Sequence, residues 1–234
     1  FKQSETYSFL NRLFFKEEGS LNQMCLELVI SYERGQEIIQ HLNTKLPQHY
    51  GISVQPSPLV MDGTEEDIRA FYLDYFSQSY DFLDWPFPSI SEESLTHLIQ
   101  LFLDTQQVSP NLSSLRQIKY ALAINLERFN KRYLIENPTP LLTSHYSSLM
   151  QIPQFEQDIK KLAKKLHFEP KKETLEQLFS NPVKSPQITN NPSNGALGDI
   201  QHIQKSYRLL SQILEELAKE FHLQIENREE LIWL

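Results

Sequence analysis

The sequence predicts a mainly α-helical protein: a winged helix-turn-helix, then an all-helical bundle, then the start of a second bundle. Three observations predict it. Only six glycines occur in 234 residues, so there is little punctuation of the long stretches that repeat apolar residues every three or four positions. The prolines cluster between those stretches rather than within them. Finally, three short periodic segments lead into two brief extended stretches, the order of a winged helix-turn-helix.

In the first segment, residues 1–62, Tyr7, Leu10 and Phe14 share one face of a helix over about residues 4–15. Leu21, Met24, Cys25 and Leu28 repeat the pattern in a second, short helix. Few residues separate it from Ser31, which is placed to cap a third helix whose inner face carries Ile38, Ile39, Leu42 and Leu46. Ile52 to Gln55 and Leu59 to Met61, joined by Pro56-Ser57-Pro58, form the hairpin.

Residues 63–180 form the second segment. Thr64 caps a helix with Glu65, Glu66 and Asp67 in its first turn, where the helix dipole favours acids, and Ile68, Phe71, Tyr72, Tyr75 and Phe76 make its apolar stripe. Trp85-Pro86-Phe87-Pro88 breaks the chain, since two prolines remove backbone donors. Ser91 caps the next helix, with Leu95, Leu98, Ile99 and Phe102 inward; a long helix follows through Leu115, Ile118, Leu122, Leu126 and Phe129. A further helix carries Phe155, Ile159, Leu162, Ala163 and Leu166, and four or five antiparallel helices of this kind build one bundle.

Pro, Asn and Ser displace the apolar periodicity over residues 181–197, which read as a linker. From residue 198 to 234, Ile200, Ile203, Tyr207, Leu210, Leu214, Leu217 and Phe221 return at alternating spacings of three and four, a wide stripe that fits a helical bundle better than a two-stranded coiled coil and requires cover by the rest of the chain or by a second copy. Homodimerisation follows as an expectation. The chain opens without methionine and stops at Leu231-Ile232-Trp233-Leu234, and is expected to be a fragment.

Composition excludes several classes. The formal net charge of −8 argues against nucleic-acid binding driven by bulk charge, and no segment is basic. No run of 18 apolar residues exists and no signal peptide is visible, so no membrane association is expected. One cysteine, Cys25, cannot form an internal disulfide, which suits a cytoplasmic location. No nucleophile elbow, phosphate-binding glycine loop or Cys/His ligand pair is present, so neither an enzyme nor a metal or other cofactor is expected.

Residues 20–46 (SLNQMCLELVISYERGQEIIQHLNTKL), 51–63 (GISVQPSPLVMDG) and 64–87 (TEEDIRAFYLDYFSQSYDFLDWPF) together resemble the Mga, AtxA and RofA-like transcription regulators of Gram-positive bacteria. The marks are the helix opening at Ser31, the hairpin ending in Met61-Asp62-Gly63, Arg69 one turn on, and Trp85-Pro86-Phe87. ALAINLERF (121–129) resembles a helix of the phosphotransferase-system regulation domain, the PRD, and LAKEFHLQIENREELIWL (217–234) the start of a second one. The resemblance implies a virulence-type regulator with residues 63–180 as a PRD-like domain and 198–234 as the opening helix of another. Two departures stand out. Ala121 occupies the position where the resemblance places the phosphorylatable histidine, and Gly35 the position where such helices usually carry an apolar residue.

A helix entering the major groove needs hydrogen-bonding side chains near its N-terminus and cations for phosphates. On the third helix Ser31, Tyr32, Gln36 and Gln40 meet the first need, and Arg34 and Lys45 the second. The expected partners are promoter DNA, a second copy, and the phosphocarrier of the phosphotransferase system, with His97, His145 and His167 as candidate phosphoryl acceptors in that order. Lys160, Lys161, Lys164 and Lys165 share the outer face of their helix, either as a solvated face or as a dock for an acidic partner or for DNA backbone. Two other readings remain at this point: a protein-interaction or dimerisation module without DNA contact, and a PRD-containing RNA antiterminator.

Overall fold

The computed structural model describes residues 4–17, 19–80, 84–106, 111–138 and 149–180. Contacts divide the chain into two units, Phe1–Lys184 and Ser185–Leu234, and every described residue belongs to the first. The expected linker at 181–197, the apolar stripe from Ile200 to Phe221 and His145 lie outside the described residues.

Helix α1 (Glu5–Phe15) starts where the Ser4 hydroxyl accepts the Tyr7 N–H, and buries Phe9, Leu10, Leu13 and Phe14. Ser20 caps α2 (Leu21–Leu28) in the same way, and Ser31 caps α3 (Tyr32–Tyr50). Each cap satisfies a backbone donor that the first helical turn leaves unpaired. Helix α3 continues through Pro47 and stops at Gly51, whose φ of +70° suits a residue without Cβ. Strands β1 (Ser53–Pro56) and β2 (Leu59–Asp62) pair antiparallel with Val54 opposite Met61, and Leu59 N–H also donates to Gly19 O at 3.0 Å, so the segment entering α2 joins the edge of the hairpin.

Helix α4 (Glu65–Ser79) begins at the expected Thr64 cap. It serves both halves: Phe14 of α1 meets Tyr72 and Phe76 with ring centroids at 4.6 and 4.9 Å, while α6 packs along its length. The Trp85-Pro86-Phe87-Pro88 break is part of the core, because Phe87 is fully buried among Phe14, Phe76, Trp85 and Tyr120.

The bundle continues with α5 (Glu92–Gln106), α6 (Leu112–Asn130), α7 (Pro153–Leu166) and a short α8 (Lys172–Leu178) that the sequence reading did not anticipate. Helix α6 departs from its expected single stripe. Tyr120, Ala121, Leu122, Ala123, Ile124, Asn125 and Leu126 are consecutive and all buried, so this helix is covered on every side by α4, α5 and α8. A helix at the centre of a bundle needs no polar face there, which is why its one apolar stripe understates its burial.

Candidate nucleic-acid interface and regulatory site

Helices α2 and α3 cross at Gly35. A Cβ built there would lie 2.4 Å from Cys25 Sγ and 3.1 Å from Leu21 Cδ1, so glycine is what lets the two helices approach. The departure from an apolar residue at this position is thus a packing requirement of this pair. Between the helices, Val29 carries a left-handed φ of +56° and is 91% exposed. For a β-branched residue that conformation is uncommon and costs about 1–2 kcal/mol.

Beyond the turn, the outer face of α3 is open. Ser31 is occupied as a cap, its Oγ accepting Arg34 N–H at 3.1 Å. Tyr32, Gln36, Gln40 and Lys45 are exposed, and the side chains of the last three make no hydrogen bond or ion pair among the described residues. Arg34 differs. Its guanidinium donates to Glu5 of α1 at 2.6 Å and to Glu37 at 2.9 Å, contacts that hold its ionisation above the ordinary arginine value, the Glu37 hydrogen bond first. By helical period, Glu33 and Glu37 fall between the Tyr32–Gln36–Gln40 row and the Arg34–His41–Lys45 row, so acids divide the exposed face.

The hairpin is pinned to α3 by one side chain. Asn43 Oδ1 accepts Val54 N–H at 2.7 Å and Asn43 Nδ2 donates to Val54 O at 3.0 Å, completing the backbone pairing of β1. At the far end of α3, Tyr50 donates its hydroxyl to Asp74 of α4 at 2.8 Å; burial first, then that carboxylate, push its ionisation up to about 12.

A cluster of buried charges joins this module to the bundle, and the sequence reading missed its role. Arg128 of α6 is 1% exposed and donates from Nη1 to Glu17 at 2.5 Å and from Nε and Nη2 to both oxygens of Glu65 at 2.9 and 2.7 Å. Its guanidinium lies 4.2 Å from the Tyr133 ring centroid. Glu17 follows α1 and accepts Met61 N–H of β2 at 3.1 Å, so one carboxylate touches the bundle arginine and the wing backbone. Glu65 also pairs with Arg69 at 2.8 Å, and Arg69, fully buried, reaches Asn125 Oδ1 at 3.1 Å and Tyr133 O at 2.9 Å. Burial raises the Glu17 carboxyl above its ordinary value against the pull of Arg128. The sequence does hold a signal: Asn125 directly follows the apolar run from Tyr120 to Ile124, and Arg128 falls three residues on, on the same side of α6.

The candidate acceptor His97 lies on α5 with its side chain 58% exposed and its Nδ1 2.5 Å from Asp158 Oδ2 of α7. Asp158 also receives Lys161 at 3.2 Å; burial opposes its ionisation, but His97 and Lys161 hold its carboxyl below the usual range. A cavity of about 390 Å³ opens at this pair, with Ser91, Ser94, Lys161 and Lys165 on its walls. His167 is the exposed left-handed cap residue of α7, apart from that cavity. Ala121 is buried. Of the lysine row, Lys160 pairs with Glu156 and Lys161 with Asp158, while Lys164 and Lys165 are exposed. Among the described residues, no three His, Cys, Asp or Glu side chains gather as a metal site, and no helix is long and apolar enough to cross a membrane.

These elements define a winged helix-turn-helix continuous with an all-helical bundle. Residues 1–76 match the Mga helix-turn-helix domain, and residues 91–234 match the PRD domain of the M protein trans-acting positive regulator; the chain belongs to the Mga family of regulators. It is 29% identical to a trans-acting regulator of Streptococcus pneumoniae serotype 4 over 235 residues, covering all of this chain and 48% of that protein. It is also similar to two proteins of Bacillus anthracis. The anthrax toxin expression trans-acting positive regulator is 26% identical over 168 residues, 64% of this chain and 35% of that protein. The capsule synthesis positive regulator AcpB is 24% identical over 136 residues, 58% of this chain and 28% of that protein. The chain thus spans less than half the length of the curated relatives it matches.

Proposed function

We propose that this chain supplies the DNA-binding and regulatory portions of a cytoplasmic, non-catalytic transcriptional regulator, with residues 1–62 meeting promoter DNA and residues 63–180 setting that module's position. The open outer face of α3, capped by Ser31 and braced by the wing through Asn43, carries this reading. Gln36 and Gln40 read base edges, Lys45 takes a phosphate, and Arg34 joins them only by leaving Glu5 and Glu37. The test is an electrophoretic shift of the full-length protein on promoter duplex with salt titration. Gln36→Ala should lose about 1–3 kcal/mol, and Arg34→Ala and Lys45→Ala should each reduce the salt slope by about one. Unchanged affinity and slope in all three would favour an interaction module without DNA contact.

Regulation is proposed to act through His97. In the tautomer that protonates Nδ1 toward Asp158, the Nε2 lone pair attacks the phosphorus of a phosphohistidine on the phosphocarrier. The donor N–P bond breaks, its electron pair returns to the donor ring, and the imidazolium formed at His97 stays paired with Asp158. Lys161 and Lys165 stand on the cavity wall to neutralise the added charge. Acid-labile phosphate located at His97 by mass spectrometry supports this, and wild-type promoter response in both His97→Ala and His97→Asp overturns it. Assembly as a homodimer would place two α3 helices on one duplex, which sedimentation of the full-length protein across concentration would detect.

A further inference from the structure

Val29 combines two features that stability alone does not explain. Its backbone is left-handed, where glycine is the favoured residue and a β-branched side chain is disfavoured. The residue is nonetheless 91% exposed, so no burial among the described residues offsets that strain. Tyr32, three residues on at the first position of α3, is 45% exposed and lies next to the capping Ser31. The turn is held tightly: Val29 N–H donates to Leu26 O at 3.3 Å and Ile30 N–H to Cys25 O at 3.0 Å, so Val29 is fixed at the entry to α3.

We propose that Val29, with Tyr32 three residues on, is a specificity-determining contact that recognises thymine methyl groups at the edge of the major groove. This rests on the reading of α3 as the groove-facing helix and is continuous with that face. The chemistry favours DNA as the occupant. In the major groove the C5-methyl of thymine is the one apolar group among the base edges, and it is read by apolar contact rather than by hydrogen bonds. The neutral row of Tyr32, Gln36 and Gln40 runs from the same end of the helix, so amides for adenine and an apolar tip for thymine lie in sequence along one side. Arg34 and Lys45 belong to the other row, leaving phosphate contact there. The strained turn places a branched apolar side chain where glycine would present nothing. An A·T-containing half-site is therefore the class of sequence this helix is built to select.

The test uses duplexes that the full-length wild-type protein selects from a random pool, resynthesised with deoxyuridine in place of each thymine, which removes the methyl and leaves pairing intact. Wild type should bind about three- to fivefold more weakly for each contacted methyl lost, from the transfer value of one buried carbon. Val29→Gly suits the left-handed turn and should melt at or above the wild-type temperature, so any loss of binding is not a loss of folding. It should bind the thymine duplex as weakly as wild type binds the uracil one and should be insensitive to the exchange at that position. Equal sensitivity of Val29→Gly and wild type to the exchange, or full affinity of Val29→Gly with lost promoter activation, overturns the inference and leaves DNA binding by α3 intact. Failure of the wild-type protein to select any duplex overturns the DNA reading and this inference with it.

Discussion

At the scale of single residues, Gly35 and Cys25 show how a substitution can have opposing effects. Alanine at position 35 gains helix propensity of up to about 1 kcal/mol, but its Cβ would meet Cys25 Sγ at 2.4 Å. Overpacking of this kind costs about 1–3 kcal/mol, so Gly35→Ala should be net destabilising by denaturant titration. The clash has one principal partner, so Cys25→Ala in the Gly35→Ala background should recover about 1–2 kcal/mol relative to additivity. Additive effects would mean that the Leu21 contact at 3.1 Å, and not the thiol, sets the limit.

Between elements, the decisive contacts are ionic. Arg128 on α6 meets Glu17 beside the wing and Glu65 at the start of α4, so three separate pieces of chain are bound at one guanidinium. Removing that group leaves the buried Glu17 carboxylate without a cation and Glu65 with Arg69 alone, and Arg128→Leu should cost about 3–5 kcal/mol by chemical denaturation. Glu17→Gln keeps an acceptor for Met61 N–H and leaves the two-point pair with Glu65, so its cost should be much smaller. If the cluster transmits state from bundle to wing, Glu17→Gln should also weaken the promoter's response to inducing conditions while the protein stays folded. A full response in that variant would reduce the cluster to a structural joint.

For the molecule as a whole, Glu17 sets a pH dependence whose sign is opposite to that of an ordinary paired acid. Burial raises its folded-state carboxyl above the unfolded value, so the native chain takes up this proton first as pH falls. Stability from this group therefore rises on acidification through the raised value and levels off below the ordinary carboxylate range, and it is lost again as pH rises toward neutrality. Glu17→Gln does not titrate there. Unfolding free energies of the two proteins from neutral pH down through the ordinary carboxylate range should show wild type gaining on the variant as pH falls; a constant difference would show that Arg128 fully compensates the burial. Asp158 runs the other way, since its lowered carboxyl contributes above the ordinary value and is lost as pH falls through its own.

The helix order, the caps at Ser31, Thr64 and Ser91, and the hairpin are legible without coordinates, because capping and apolar period are set by residues within a few positions of one another. The exposed row on α3 was legible for the same reason. What depends on residues far apart in the chain was not: the Glu5 carboxylate on Arg34, the Asp158 oxygen on His97, the Glu17–Arg128–Glu65 cluster, and the burial of α6 on all sides. Local pattern states which side of a helix avoids water, but only the packed molecule states which charge meets which. Two carboxylates and two guanidiniums can enter a core only when each supplies the others' hydrogen bonds, and their partners lie up to 111 residues away in sequence.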